Sequence, residues 1–428
     1  MLYLLFTYMT LYVIRPSEWV PGIIGTPLLM VVGIISIIAI IFGVFSSQCP
    51  TVLTGNVEKM MLGFILAICL SHISHAYLGG VISSIEQFMP SFVGFFLVLC
   101  SIKDRKRFNI FLFFIIILVS FVAYEGIQQY WTGYAIGGME PIFQGEINED
   151  GERFSITRIR WYGLFNDPND LGLLLIIVVP FLVDMVLRRK LLISLMSLPL
   201  IVAALYYTNS RGSMLALVVA ICSYFLIRFR SKKGFFLGLL LIAPLLIFGP
   251  SRIGDMSGKE ESAYGRIESW YEGYQMFKSN PLFGVGMGSY TDYHNLTAHN
   301  SFVLVMAELG FVGLFFFTGL IYYPLNWLRS ALFSNDAALV LTKDDLCLVS
   351  AIYSSFIGVL ASIFFISRSY VLIPFLLIAL TTSTNRIIEN PLNNIQSFEG
   401  AGWYDFKRIV LLTLAQIVLI YIIVKVLI

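Results

Sequence analysis

The chain has 428 residues, of which 58% are hydrophobic and only 13% are charged. This composition leaves too little polar surface for a soluble globular protein and is typical of a polytopic membrane protein. The formal net charge of +2 is too small to indicate nucleic-acid binding, and the basic residues stand in short clusters between apolar runs. A soluble enzyme and a nucleic-acid-binding protein are therefore both excluded.

Apolar runs long enough to cross a bilayer recur along the whole chain, since about 20 apolar residues cover roughly 30 Å of hydrocarbon. We therefore predict an all-α membrane helix bundle of about 12–13 transmembrane helices. The first run is expected to be a retained span, because neither a basic region nor a cleavage site accompanies it. The expected spans lie near residues 1–14, 23–45, 59–78, 81–100, 108–131, 168–187, 191–209, 212–230, 234–249, 299–328, 345–367, 369–387 and 409–427.

The positions of the basic clusters predict the orientation of the bundle. If each span crosses once, the clusters at 103–107, 188–190 and 228–233 lie on one side, which the positive-inside rule makes the cytoplasm. The polar segments 132–167 and 250–298 are then exoplasmic. In the absence of internal repeats, we expect residues 1–428 to form a single membrane domain, with 250–298 as its large exoplasmic loop and 388–408 as a cytoplasmic connector.

Two sets of potential metal ligands give weak signals. The five cysteines all lie within or beside apolar runs, and their spacing indicates neither a disulfide framework nor a zinc site. His72 and His75 share one helix face and would suit a metal pair or a proton relay, but no carboxylate or cysteine is near them in sequence. We therefore expect no metal and no cofactor.

Three cations and one imidazole are expected at the same exoplasmic level: Arg160, Arg211, Arg266 and His299. Arg211 stands between two apolar runs, where a cation is costly unless an anion such as a lipid-linked diphosphate accompanies it. The alternatives for Arg211 are that it reaches the membrane interface or pairs with a loop carboxylate.

His299 follows Thr297, a candidate N-cap, so its ring is expected in the first turn of a long helix. A helix N-terminus disfavours the imidazolium form, and a neutral imidazole suits a general base that deprotonates a sugar hydroxyl. A histidine that only caps or hydrogen-bonds is the alternative.

The large loop contains further polar and aromatic candidates. Ile267, Trp270, Tyr271, Tyr274 and Phe277 recur at helical spacing and predict an amphipathic helix ending at Asn280-Pro281, whose aromatic stripe would suit either interface packing or a sugar platform. The glycine-rich residues 281–288 do not follow a strand in a βαβ unit, so flexibility is favoured over phosphate binding, which stays open.

Glu125 and Glu308 are expected inside spans, where an ionisable group is a functional candidate. Their partners cannot be named from sequence. Glu308 lies nine residues after His299, so on one helix the two side chains would point to nearly opposite faces.

An ordered set of motifs between about residues 158 and 320 resembles the bacterial O-antigen ligase and O-antigen polymerase superfamily of membrane glycosyltransferases. The motifs are residues 160–169, residues 209–212, Gly265-Arg266 with Trp270, residues 281–288, and residues 298–300 with residues 308–310.

This resemblance implies an inverting, metal-independent transfer of a glycan from an undecaprenyl diphosphate donor to an acceptor hydroxyl. The acceptor would be another glycan, lipid A core or a protein, and the reaction would occur on the periplasmic face of a bacterial inner membrane. Arg211 and Arg266 would hold the diphosphate, and His299 would be the base or orient the acceptor. The residues expected to contact substrate are Arg160, Asn300, Trp270 and Tyr271.

A transporter of a small solute, an ion or a lipid-linked glycan is the rival hypothesis. The buried acids, the His72 and His75 pair and the proline-kinked helices support this hypothesis, because ion pathways use features of these kinds.

Overall fold

In the part of the chain that it describes, the computed structural model consists of α-helices, short 3-10 turns and one β-hairpin. It describes residues 1–46, 49, 55–147, 153–189, 191–230, 232–247, 261–333, 341–389 and 402–427. The helices are α1 (Leu2–Ile14), α2 (Leu28–Phe45), α3 (Asn56–Ile73), α4 (Leu78–Ser101), α5 (Arg105–Thr132), α6 (Pro168–Ile176), α7 (Val179–Leu187), α8 (Leu191–Tyr207), α9 (Arg211–Phe229), α10 (Lys232–Ile247), α11 (Glu261–Ser279), α12 (Tyr290–Tyr293), α13 (Ser301–Phe333), α14 (Lys343–Ile363), α15 (Leu372–Glu389) and α16 (Trp403–Leu427).

Apart from α11 and α12, the helices coincide with the apolar runs of the sequence, and this confirms the prediction of an all-α, multi-span membrane bundle. Within the described ranges, nine helices are long and apolar enough to cross a bilayer, with α6 and α7 counted as one. The expected total of about 12–13 also included shorter helices. One of these, α1, has 13 residues, so it rises only about 20 Å. Residues 390–401 of the expected connector and 250–260 of the large loop lie outside the described residues.

Contacts along the chain group it into two compact units. The first unit comprises Met1–Ile35, Asp104–Met256 and Asn335–Ser362. In it, α5 packs against α1 and α8, and α9 packs against α6, α7 and α10. Trp161 is fully buried here, and its indole N–H donates to the Val13 carbonyl at 2.8 Å.

A β-hairpin inside segment 132–167 is an element that the sequence did not predict. Strands β1 (Ile142–Ile147) and β2 (Arg153–Arg158) pair antiparallel. The chain around the end of β2 is bonded to the turn before α9. The Asn209 amide donates to the Thr157 carbonyl at 2.9 Å, and the Ile159 N–H donates to the Tyr207 carbonyl at 3.2 Å. The hairpin is therefore held beside the start of α9.

The second unit comprises Ser36–Lys103, Ser257–Ser334 and Ile363–Ile428. Its longest helix, α13, packs against α3, α11, α15 and α16, and α4 packs against α3 and α15. The core of this unit is an aromatic cluster that contains Phe64, Phe88, Phe317 and Phe375. All four rings are almost completely buried.

Helix α13 is broken at Gly310, which has φ 64° and ψ −157°. The break separates donors from their usual acceptors four residues earlier, and residues 281–286 replace the missing bonds. The N–H groups of Phe311 and Val312 donate to the carbonyls of residues 281 and 282 at 2.8 and 3.1 Å. In return, the carbonyls of residues 307 and 308 accept from the N–H groups of residues 285 and 286, each at 3.0 Å. In a membrane helix every backbone group must be satisfied, so this segment completes α13.

Candidate functional site

His299 lies immediately before the residue that caps α13. The prediction that Thr297 caps this helix is wrong. The cap is Asn300, whose side-chain oxygen accepts from the N–H groups of Phe302 and Val303 at 2.8 and 3.1 Å. Asn300 is only 2% exposed, and its side-chain oxygen is occupied by these two donors. The structure thus gives this residue, which we expected to bind substrate, the role of a helix cap.

The backbone of His299 adopts φ 47°, a left-handed conformation that is uncommon for a residue with a side chain. Such strain costs on the order of 1–3 kcal/mol and persists only where the surrounding structure enforces it. Here the buried cap at Asn300 and the buried Ala298 fix both neighbours of His299. The half-buried imidazole is consequently held at a defined place beside the N-terminal end of α13.

The predicted amphipathic helix is present as α11, which ends at Ser279 directly before Asn280-Pro281. It packs along α13 and α16. Two aromatic residues of its stripe contact rings of the same unit: Trp270 meets Phe364 at 5.6 Å between centroids, and Tyr274 meets Tyr421 at 5.5 Å. The stripe is therefore used for packing, whereas Tyr271 is 37% exposed and accessible to a ligand.

Helix α11 also runs beside the chain that carries His299. A Cβ added at Gly265 would lie 3.6 Å from Leu296, and one added at Gly273 would lie 2.7 Å from Val303. The Tyr290 hydroxyl donates to the Ser269 carbonyl between these two points. Arg266 follows Gly265 directly, so the structure brings Arg266 and the residues on both sides of His299 into one region of the second unit.

The glycine-rich segment 281–288 does not form a phosphate cradle. The N–H groups of residues 284, 285 and 286 donate to the carbonyls of residues 280, 307 and 308, and the Met287 N–H donates to the Ser71 hydroxyl at 3.3 Å. Two glycines are required by close approach rather than by flexibility, since a Cβ at Gly284 would lie 2.2 Å from the Glu308 backbone and one at Gly310 would lie 2.5 Å from the Leu282 backbone. The segment thus has a structural role, because it bonds to the backbone of α13 where that helix is broken.

His72 and His75 hold this same segment. His72 is 3% exposed, and its Nε2 lies 3.0 Å from the Met287 carbonyl and 2.8 Å from the Ser84 hydroxyl. Because a carbonyl only accepts, Nε2 carries the proton. His75 Nε2 lies 3.3 Å from the Asn280 side-chain oxygen. Within the described residues no group of three His, Cys, Asp or Glu side chains could hold a metal ion.

Glu308 is 2% exposed, and its carboxylate connects three segments of the second unit. One oxygen accepts from the Tyr290 N–H at 3.3 Å, and the other accepts from the Tyr370 hydroxyl at 2.8 Å. The Tyr370 phenol is the donor in this bond, because a carboxylate only accepts. The structure therefore assigns Glu308, whose partners could not be named from sequence, to the anchoring of two turns on α13.

Arg211 and Arg160 belong to the first unit. Arg211 is the first residue of α9, whose cap Ser210 accepts from the Ser213 N–H at 3.2 Å. A guanidinium and the positive end of a helix at one point favour an anionic ligand. The Arg160 side chain instead donates to the Glu140 carbonyl at 2.9 Å and to the Asn166 side chain at 3.1 Å, and so it orders segment 132–167.

Arg158 is a buried cation that the sequence reasoning missed. It is 9% exposed and donates to the Thr208 carbonyl at 3.1 Å and to the Gln144 side chain at 2.9 Å. Burial lowers the pKa of Arg158, and the nearby Asp167 carboxylate partly offsets this effect. Its place in the Arg158-Ile159-Arg160 sequence was the available signal, but only the three-dimensional structure shows that Arg158 is the buried one of these two arginines.

The predicted residues fall in both units: Arg160 and Arg211 lie in the first, and Arg266, Trp270, Tyr271 and His299 lie in the second. A shared ligand for all of these residues stays a prediction.

Comparison with known proteins identifies a relationship for the central part of the chain. Residues 195–318 match the family model described as O-antigen ligase. The matched stretch includes Arg211, Arg266 and His299, and Arg160 precedes it. No curated protein matches the chain significantly. Together with the helical multi-span fold, the match of this stretch supports an O-antigen ligase or O-antigen polymerase family assignment.

Proposed function

We propose that the protein transfers a glycan from an undecaprenyl diphosphate donor to an acceptor hydroxyl, on the periplasmic face of a bacterial inner membrane. The reaction is inverting and independent of metal ions. The acceptor is another lipid-linked glycan, lipid A core or a protein. The observation that carries the proposal is the strained placement of His299 beside the cap of α13, in the region covered by the helix of Arg266.

His299 is the proposed general base. The N-terminal end of α13 disfavours a positive charge on the adjacent imidazole, which keeps the ring neutral and able to accept a proton from the attacking hydroxyl. That hydroxyl attacks the anomeric carbon, the bond from this carbon to the diphosphate oxygen breaks, and the diphosphate leaves with the electron pair.

Arg266 and Arg211 are the proposed contacts of the diphosphate. A departing diphosphate concentrates negative charge, and a fixed guanidinium stabilises that charge through paired N–H donors. Arg211 is supported by its position at the first residue of α9, and Arg266 by its position beside the His299 segment. Tyr271 is the exposed aromatic residue proposed to contact the glycan, with Trp270 and Arg160 as further contacts.

A transport function is less well supported, because the buried groups that suggested it have structural partners. Glu308 and His72 anchor the segment that completes α13. Glu125 is 6% exposed and accepts from the Ile136 N–H at 2.8 Å, which holds the turn after α5.

The proposal is tested with purified protein and a lipid-linked repeat unit, supplied with and without lipid A core. A ladder of lipid-linked chains identifies a polymerase, and a single transfer to the core identifies a ligase. His299→Ala is expected to reduce transfer by on the order of a hundredfold or more, since general base catalysis contributes 10²–10⁴-fold.

His294→Ala is the matched control, because His294 lies in the same loop and contacts the carbonyl of Leu296 at 3.0 Å. This variant should retain transfer. Undiminished transfer by correctly folded His299→Ala protein would remove the proposed base.

A further inference from the structure

The turn formed by residues 364–371, before α15, is attached to the first residue of α13. The Ser301 hydroxyl donates to the Ile366 carbonyl at 2.7 Å and accepts from the Arg368 N–H at 2.9 Å. The Ser369 hydroxyl donates to the Ser301 carbonyl at 2.8 Å. Ser301 is fully buried, so these bonds are shielded from water. They hold the Arg368 backbone against Ser301, which follows His299 by two residues in the sequence.

A second attachment fixes the far end of the same turn. The Tyr370 hydroxyl donates to Glu308, which lies two helical turns further along α13, and the Ser91 hydroxyl donates to the Tyr370 carbonyl at 2.7 Å. The backbone on both sides of Arg368 is thus bonded to neighbouring elements of the second unit. Arg368 is half-buried on this rigid turn, so it loses little further conformational freedom when it binds a ligand.

The helix that carries Arg266 covers this turn as well. Trp270, one helical turn after Arg266, packs its ring edge-on against Phe364 at the start of the turn, with centroids 5.6 Å apart. Arg266, His299 and Arg368 therefore lie on three separate segments that meet around the first residue of α13.

Two buried polar atoms lie in the same neighbourhood. Within the described part of the chain, the Trp270 indole N–H and the Ser367 hydroxyl have no hydrogen-bond partner. Buried polar atoms are normally paired, so an oxygen-rich ligand that reached this turn would supply an acceptor for these donors.

We infer that Arg368 is a further binding residue for the diphosphate of the lipid-linked donor, acting together with Arg266 at the start of α13. This inference rests on the proposed function and extends it to a residue outside the stretch that matches the O-antigen ligase family. Two guanidiniums on separate rigid segments can each bind one phosphoryl group through two N–H donors. The N-terminal end of α13 adds further positive potential at the same place.

The first test measures the binding of undecaprenyl diphosphate, without an acceptor, to purified protein in lipid nanodiscs. Arg368→Gln is expected to weaken this binding on the order of ten- to a hundredfold, because it removes charge-assisted hydrogen bonds. It keeps the backbone N–H that donates to Ser301. Arg368→Lys keeps the charge but not the paired donors, and it should fall between Arg368→Gln and the unaltered protein.

The matched control is Arg329→Gln, which removes an exposed arginine near the opposite end of α13 and should leave the affinity unchanged. Equal affinities of Arg368→Gln and the unaltered protein would overturn the inference.

The second test separates a donor phosphate from a phosphate carried by the acceptor. Donor and acceptor concentrations are varied independently during transfer, and Arg368→Gln should raise the KM for the donor only. A rise confined to the KM of a phosphorylated acceptor would contradict a role in donor binding. If His299→Ala stays active, the proposed base fails, whereas Arg368→Gln with normal donor binding removes only the role of Arg368.

Discussion

Replacing Gly310 by alanine should release the segment that completes α13. At φ 64° and ψ −157°, this position has a backbone conformation that is essentially restricted to glycine, and a Cβ strains it by about 1–3 kcal/mol. The added atom would also lie 2.5 Å from the Leu282 carbonyl carbon, a backbone atom that cannot rotate away. If the segment moves, the two bonds from Phe311 and Val312 to residues 281 and 282 are lost, at about 1 kcal/mol each.

The expected loss of unfolding free energy for Gly310→Ala is therefore about 3–5 kcal/mol. Thermal unfolding of the purified protein should show a clearly lower midpoint. Glycan transfer should also decrease at temperatures where the protein is still folded, because the region around His299 loses its support. Gly145→Ala is the control, since Gly145 has no neighbour within 4 Å of an added Cβ and no positive φ. If Gly310→Ala matched Gly145→Ala in both measurements, the account of the break would be refuted.

Substitutions at two further positions separate anchoring from catalysis. Asn300→Ala should cost about 1 kcal/mol of stability through loss of the cap, whereas Asn300→Ser should restore both stability and transfer. Loss of transfer in a stable Asn300→Ser protein would instead indicate substrate contact. Tyr370→Phe removes a donor to a buried carboxylate and should lower the unfolding free energy by about 1.5–3 kcal/mol, measured in denaturant. An unchanged unfolding midpoint would show that Glu308 does not depend on this phenol.

The helices could be predicted because the signal for a membrane span is local. A run of apolar residues has to be placed in hydrocarbon whatever its neighbours are, and its backbone can only be satisfied as a helix. The helix α11 was predicted by the same kind of signal, an aromatic stripe at helical spacing that ends at Asn280-Pro281. The hairpin of β1 and β2 was missed, because its short strands lie in a polar segment and are ordered by contacts with the turn before α9.

The roles of the polar residues depended on partners far away in sequence. His72 and Glu308 were candidates for an ion pathway as long as their partners were unknown, and both hold the segment around residues 281–290. The same segment resembled a phosphate cradle until its N–H groups were found bonded to the broken turn of α13. Asn300 was a candidate substrate contact and is a cap, since the start of α13 lies later than Thr297 suggested.

The amino-acid sequence by itself determined that this is a multi-span helical membrane protein, where its helices lie, and which ordered motifs relate it to the O-antigen ligases. These properties depend on composition and local spacing. Only the tertiary structure decided which polar groups serve the fold. It joined a broken helix to a distant loop, and it brought the turn of Arg368 to the start of the helix that follows His299. Hydrogen bonds between residues far apart in the chain are made or lost in three dimensions, and local spacing does not record them.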